Sequence, residues 1–402
     1  MISWRYQAPA RSPLSAGALL AGIGGIARNG RGGARSEARV VDVLRARYAP
    51  RDVLLTDSGT TALTLALIGV LQDRPGAIAL PAYGCYDLAT AADGANAAVI
   101  LYDLDPRTLA PDLAQLHDVL RQGAAAVVVV HLYGHPVDLG DLKRLAAENR
   151  ALVIEDAAQA MGAKIDRQPA GSQSSLAVLS FGRGKGLTGG SGGALLAYDN
   201  AGARVMDSVR DLLAAPRRGW SELLTITAQL IFERPQLYAV PAALAFLHLG
   251  ETIYRPPRSL RRPSSVSCPV VAATWHLAER EVETRRRNAE RLLSALRWQP
   301  GFETINAPPQ AQPGYLRLPV IASSAVRGTA IDPAAQRLGV MPGYPQTLCD
   351  LTRFGPRCLN RGAAFPGSRL LAARLCTLPT HGRLGIRDLE RLELWIRTAS
   401  TR

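Results

Sequence analysis

The stretch ALVIEDAAQAMGA, residues 151–163, opens with an apolar run of strand length and turns at once to two acids and a glutamine. This pattern predicts a buried strand over Ala151–Ile154, since a short continuous apolar run bounded by polar residues fits a strand covered on both faces. Ligands in open α/β sheets gather outside the carboxyl ends of strands. Asp156, two residues past the expected strand end, is therefore a candidate to face a crevice and hold the protonated ring nitrogen of a cofactor. An ordinary capping role for the same side chain stays open. Working outward, apolar runs at Ala77–Leu80, Ala98–Tyr102 and Ala125–His131 alternate with helical periods. The helices are expected at Thr60–Leu71, behind the cap-like Asp57 and Ser58, and at Leu139–Arg150. Such alternation predicts an α/β architecture with helices on both faces of a mostly parallel sheet.

Downstream, SFGRGKGLTGGSGGALLAYD (residues 180–199) places Lys185 in a glycine-rich loop between two apolar runs. Glycines let backbone approach a ligand closely, and a desolvated lysine can form an imine with an aldehyde. Only three of the 47 basic residues are lysines. Lys143 falls on a polar helix and Lys164 in a surface turn, so a Schiff-base lysine, if there is one, is Lys185. A phosphate-binding glycine loop of another kind is the alternative, although Gly186 rather than Ser or Thr follows the lysine. Upstream, TDSGTTALTLALIGVL (residues 56–71) starts an amphipathic helix on small hydroxyl residues. Exposed amides and the positive end of the helix dipole make its first residues, from Gly59, a natural phosphate seat.

The 402 residues suffice for a large core and a smaller one. An apolar fraction of 47% describes an ordinary globular chain. The longest uncharged runs, Ser12–Ala27 and Pro235–Gly250, are too short to span a bilayer and contain Gly or Pro. Ser12–Ala27 also makes a poor signal peptide. Five cysteines without metal-ligand spacing predict a reducing cytoplasm and no metal site. The net charge of +14 speaks to solubility and association, and the scattered arginines lack interleaved aromatics, so no nucleic-acid partner is expected. From about Asp207 to Pro263 the pattern dissolves into apolar, Pro-rich sequence followed by the cluster Arg255–Arg262. This segment reads as packing against the body or a partner, or else as a wall for an apolar substrate or a peripheral membrane contact. A long polar helix over Ala272–Leu296 and a last helix over Arg387–Ala399 complete the chain.

At these segments the sequence resembles the DegT/DnrJ group of sugar aminotransferases, pyridoxal-phosphate (PLP) enzymes of fold type I. The resemblance rests on DSGTTALTLAL (57–67), LPAYGCYDLATAA (80–92), VVHLYGHPVDL (129–139), IEDAAQAMGA (154–163), SFGRGKGL (180–187) and TLPTHGRLGIRDLERL (377–392). It covers nearly the whole chain outside the divergent segment. The fold it implies is a three-layer α/β/α, aspartate aminotransferase-like large domain (residues 1–265) with a smaller α+β C-terminal domain (266–402). It implies that Lys185 is the Schiff-base lysine and proton shuttle, and that Asp156 pairs with the pyridinium nitrogen. Gln159 would lie by the 3-hydroxyl or the ring face, and Gly59, Thr60, Thr61 and Ser180 would bind the phosphate. Cys85, with Tyr86 beside it, occupies the position where relatives stack an aromatic residue on the ring. Two further departures are the absence of a GxNxR-like loop and the presence of Arg183-Gly184 where many relatives carry Pro-Thr. The implied reaction moves an amino group from an amino acid such as glutamate to a keto-sugar, often nucleotide-linked, in polysaccharide or secondary-metabolite biosynthesis. The site would be built in a homodimer. A non-catalytic or regulatory PLP protein of a cell-surface polysaccharide or lipid pathway, and a type I enzyme of another reaction type, are the alternatives.

Overall fold

The computed structural model describes residues 5–27, 33–240, 253–330 and 332–399. Helices α1 (Ala16–Ala27) and α2 (Gly33–Tyr48) precede β1 (Asp52–Thr56), α3 (Gly59–Asp73), β2 (Ala77–Pro81), α4 (Asp87–Gly94) and β3 (Val99–Tyr102). Then follow α5 (Leu113–Arg121), β4 (Ala124–Val130), α6 (Gly140–Glu148), β5 (Leu152–Asp156) and the short pair β6 (Lys164–Ile165) and β7 (Gln168–Pro169). After β8 (Leu176–Ser180) and β9 (Gly193–Ala197), α7 (Asn200–Val209) and α8 (Trp220–Phe232) lead to the long α9 (Ser267–Leu296). The last third holds β10 (Phe302–Thr304), β11 (Ala311–Gln312), β12 (Leu318–Ala322), α10 (Ser324–Ala330) and α11 (Pro333–Arg337). It ends with β13 (Met341–Pro342), α12 (Pro366–Arg374), β14 (Leu375–Leu378) and α13 (Ile386–Ala399).

The main sheet runs β1-β9-β8-β5-β4-β2-β3, parallel except for β9, which is antiparallel to both neighbours. β4 reads AAAVVVV and is buried throughout, as a strand covered on both faces must be. On β8, Leu176 and Val178 join the larger core while Ala177 and Leu179 turn to the opposite side, under Val40 and Leu44 of α2 and Trp275 of α9. These layers make the α/β/α fold. A second, antiparallel sheet, β10-β12-β14-β13, packs on Leu292 and Leu296 of α9 and on Leu392 and Ile396 of α13. The proposed division near residue 265 thus falls at the head of a helix that serves both cores.

β5 extends to Asp156, two residues past the end predicted at Ile154, because Glu155 and Asp156 keep ladder partners on β4 and β8. Within the segment where the pattern dissolves, Trp220–Phe232 is a regular helix, packed through Ile226 beneath α1. Local period obscures it because apolar residues occur around most of its circumference. Residues 241–252, including the end of the run Pro235–Gly250, lie outside the described residues.

Candidate active site

The carboxyl ends of β1, β2, β4, β5 and β8 deliver Asp57, Cys85, Tyr133, Gln159 and Lys185 to one side of the sheet. A cavity of about 540 Å3 opens there, lined by Cys85, Tyr133, Gln159, Lys185, Arg317 and Tyr344 among others. Lys185 stands between Gly184 and Gly186, whose φ angles of +73° and +84° are the left-handed backbone that glycine tolerates. Lys143 and Lys164 are exposed on α6 and β6, away from the cavity. Beneath the loop lies Arg285, fully buried, with Nη2 donating to the Met161 carbonyl at 2.9 Å. A Cβ on Gly186 would come within 2.8 Å of Arg285 Nη1, so the loop rests directly on this guanidinium. Burial pushes the Arg285 pKa down to about 10.

Adjacent acids at the end of β5 meet opposite surroundings. Glu155 accepts from the amides of Gly171 and Gln173, both at 2.7 Å, from Ser174 Oγ at 2.9 Å and from His131 Nε2 at 3.0 Å. His131 Nδ1 accepts the Val137 amide, which leaves Nε2 carrying the hydrogen. Burial raises the Glu155 pKa, but the hydrogen bonds from His131, Gln173 and Gly171 outweigh it and the net shift is downward. Asp156 has one such bond, from the Ala158 amide to Oδ1 at 3.0 Å, and among the described residues no donor reaches Oδ2. Its pKa is raised by burial, against the pull of the Ala158 amide and of Lys185. A buried carboxylate oxygen without a donor suits a cationic N–H partner.

Gln159 is clamped at both ends of its amide. Oε1 accepts the Tyr133 amide at 3.0 Å, and Nε2 donates to the Tyr344 hydroxyl at 2.8 Å. Tyr344 Oη keeps its own hydrogen for a further acceptor, and burial drives its pKa well above the usual tyrosine value. The Tyr344 ring stacks on Tyr133, with centroids 5.8 Å apart and planes at 19°, and lies 5.5 Å from Tyr83 and 6.2 Å from Tyr86. Tyr133 is held at φ 57°, ψ 16°, unusual for a bulky residue and maintained by the Gln159 bond and this stacking. Tyr86 is buried against Tyr344, its hydroxyl accepting the Gln346 amide at 3.1 Å, so Cys85 rather than Tyr86 lines the cavity. Burial, then Asp87, pushes the Cys85 thiol up to about 12.

At the start of α3, Ser58 accepts the Thr61 amide at 3.0 Å as N-cap. The Thr61 hydroxyl donates to Asp57 at 2.6 Å and accepts from Ser58 Oγ at 3.0 Å, which commits it to the turn. The amides of Gly59 and Thr60 have no partner within the helix. Ser180 meets this helix start: a Cβ on Gly59 would fall 2.8 Å from Ser180 Cβ. Asp57 beside it has a raised pKa, through burial first, opposed by the Thr61 bond and the charges of Arg217 and Arg261.

Three parts of the cavity are not local to these motifs. Its roof comes from the N-terminal stretch Ala8–Ser12 and from α8, through Leu224, Ala228 and Phe232. Arg11 pins them by bonding Glu233 and Glu281, each at 3.1 Å. Arg317 enters at the head of β12, half-buried, bonded to Thr377 Oγ1 at 3.5 Å and within ion-pair distance of no carboxylate among the described residues. Tyr133 had a signal, an aromatic residue just past a buried strand. Tyr344 and Arg317 had none that period or turn chemistry supplies.

A model of the DegT/DnrJ/EryC1/StrS aminotransferase family matches residues 24–230. The L-glutamine:2-deoxy-scyllo-inosose aminotransferase of Streptomyces kanamyceticus is 27% identical over 380 residues, covering 89% of this chain and 82% of that protein. GDP-perosamine synthase of Caulobacter vibrioides is 33% identical over 171 residues, 42% of this chain and 46% of that protein. Among solved structures, the sugar aminotransferase CalS13 from Micromonospora echinospora superposes with a TM-score of 0.75 at 21% identity, covering 97% of this chain and 98% of that one, a likeness of fold.

Proposed function

The chain belongs to the DegT/DnrJ/EryC1/StrS aminotransferase family, and from that premise we propose that it is a PLP-dependent aminotransferase carrying nitrogen from glutamate or glutamine to a ketone of the sugar or cyclitol class. The observation that carries the site assignment is the donor set around Lys185. Asp156 presents a buried oxygen lacking a donor, and the Gly59–Thr60 helix start beside Ser180 presents amides without a partner in the helix to an anion. A basic ring nitrogen, a phosphate and an aldehyde on one small molecule match these three features.

When bound, PLP draws electrons from the carbon that bears the transferred nitrogen. Asp156, ionised, holds a proton on the ring nitrogen, which relieves the cost of its own burial. Lys185 holds the cofactor through Nζ and then carries a proton on that atom between the reacting carbons. The amides of Gly59 and Thr60 with Ser180 Oγ seat the phosphate, and the bonds among Gln159, Tyr133 and Tyr344 keep the ring's surroundings rigid. Arg317, a cation without a carboxylate partner in the same cavity, receives an anionic group of the donor or acceptor. Leu224, Ala228 and Phe232 give the acceptor an apolar wall and exclude water. We also propose a homodimer, as this fold type builds, and a cytoplasmic home, in keeping with five unpaired cysteines. Among the described residues no helix is long and apolar enough to cross a membrane.

The test is the absorption spectrum of the protein with PLP, before and after glutamate or glutamine, for wild type and Lys185→Ala. The expected result is a visible band of lysine-bound cofactor that the amino donor bleaches in wild type and that never forms in the variant. A wild-type band indifferent to every amino acid would reject aminotransfer, and no band at all would reject the cofactor assignment.

A further inference from the structure

Helices α1 and α8 pack side by side and leave an outer face that the fold does not use. Inward, Ala18 of α1 and Ile226 of α8 join Leu14, Val266 and Val270 in a small core. Outward, Leu20 is 67% exposed, Trp220 62% and Leu224 71%, with Ile23 and Ile231 also exposed. At about 100° per residue, Trp220, Leu224 and Ile231 fall within roughly 40° of one another, a single stripe along α8. α1 carries no charged side chain in 12 residues, and α8 carries only Glu222 in 13. Scattered exposed leucines are ordinary, whereas aligned ones on two neighbouring helices almost without charge mark a contact surface.

One end of this face is strongly basic. Arg217 and Arg218 immediately precede α8, and the bridge between Ala214 and Arg261 joins them to the strand-like stretch bearing Arg255, Arg258, Arg261 and Arg262. Neither residues 214–219 nor 253–263 contain an acid, and among the described residues no ion pair engages any of the six arginines, although Arg217 and Arg261 lie near enough to Asp57 for their charges to act on it.

We infer that this face docks on an anionic lipid bilayer, with the α1–α8 stripe entering the headgroup boundary and the arginines meeting lipid phosphates. The arginine stems add apolar contact while their heads stay at the phosphate level, and Trp220 beside them suits the same interface. The net charge of +14 draws the whole chain to such a surface. A second copy fits less well, because a two-fold repeats a face whose helices hold a single acid, Glu222, and so leaves the arginines without counter-charge. Nucleic acid would engage the arginines and leave the apolar stripe in water. Leu224 also lines the cavity, so the docked face adjoins the site.

The experiment is co-sedimentation of the full chain, loaded with PLP, with vesicles of phosphatidylglycerol and phosphatidylcholine or of phosphatidylcholine alone, at low and high salt. Binding is expected to the anionic vesicles, to weaken with salt, and to shift tryptophan emission to the blue. Each arginine removed in Arg217→Ser, Arg218→Ser and Arg258→Ser should lower vesicle affinity about fivefold. The combined Leu20→Ser, Ile23→Ser, Trp220→Ser variant should lose binding while its melting curve holds, since all three side chains are exposed. Absence of binding by wild type, or equal binding to neutral vesicles, overturns the inference. So does a fall in solution mass of the apolar variant by light scattering, which would make the face a contact between copies.

Discussion

Glu155 and Asp156 show how far one residue of register decides chemistry. The two carboxylates alternate across β5, and one finds four donors while the other finds one. Glu155, with its pKa lowered, contributes stability that is present above the unfolded-state pKa and lost as pH falls through the folded value. Glu155→Gln faces donors with an amide and should cost about 2–3 kcal/mol at neutral pH, with a flatter acid limb in a plot of Tm against pH. Asp156, with its pKa raised, acts in the opposite sense: its contribution is largest below the ordinary carboxylate pKa and is lost as pH rises through the raised one. Asp156→Asn should therefore raise the neutral-pH Tm of the PLP-free protein while weakening PLP binding, and a single thermal-shift series with and without PLP checks both signs. Arg317→Gln should raise KM for the anionic substrate by about tenfold to a hundredfold, with Arg317→Lys recovering part; an unchanged KM for both substrates would remove Arg317 from recognition.

At the scale of elements, the start of α3 joins capping to binding. Ser58→Ala removes the bond to the Thr61 amide and should cost about 1 kcal/mol. Gly59→Ala places a Cβ 2.8 Å from Ser180 Cβ, so helix and strand must part at the proposed phosphate seat. Titration with PLP is expected to show a larger loss of affinity for Gly59→Ala than for Ser58→Ala, although alanine favours the helix; the reverse order would move the phosphate elsewhere. Most elements were legible. The runs that became β2, β3 and β4 announced themselves because a strand buried on both faces needs continuous apolar residues, and α6 because a half-buried helix needs a repeating face, whereas α3, expected to be amphipathic, is buried nearly all round and was legible through its Ser58 cap. α8 was not, since a helix with a core side, a cavity side and an apolar outer stripe shows little contrast between faces.

Across the whole molecule, the candidate cavity is a meeting of distant chain. The segment bearing Tyr344 and Leu348 returns to the ends of β2 and β3, where the Leu348 amide bonds the Ala82 carbonyl at 2.8 Å and the Leu359 amide the Val99 carbonyl at 2.8 Å. If the homodimer proposed from the fold type is right, light scattering of the PLP-loaded protein gives twice the chain mass, and a monomer that still bleaches with glutamate would show that one chain suffices. The sequence by itself determined the α/β alternation and the candidates Gly59, Asp156 and Lys185, because strand ends, helix starts and glycine loops are written in neighbouring residues. Tertiary structure alone decided that Tyr344 locks Gln159, that Arg317 lines the same cavity as Lys185, and that Arg11 pins α8 over it. Those relations depend on packing between segments more than a hundred residues apart, which leaves no period or spacing in the chain.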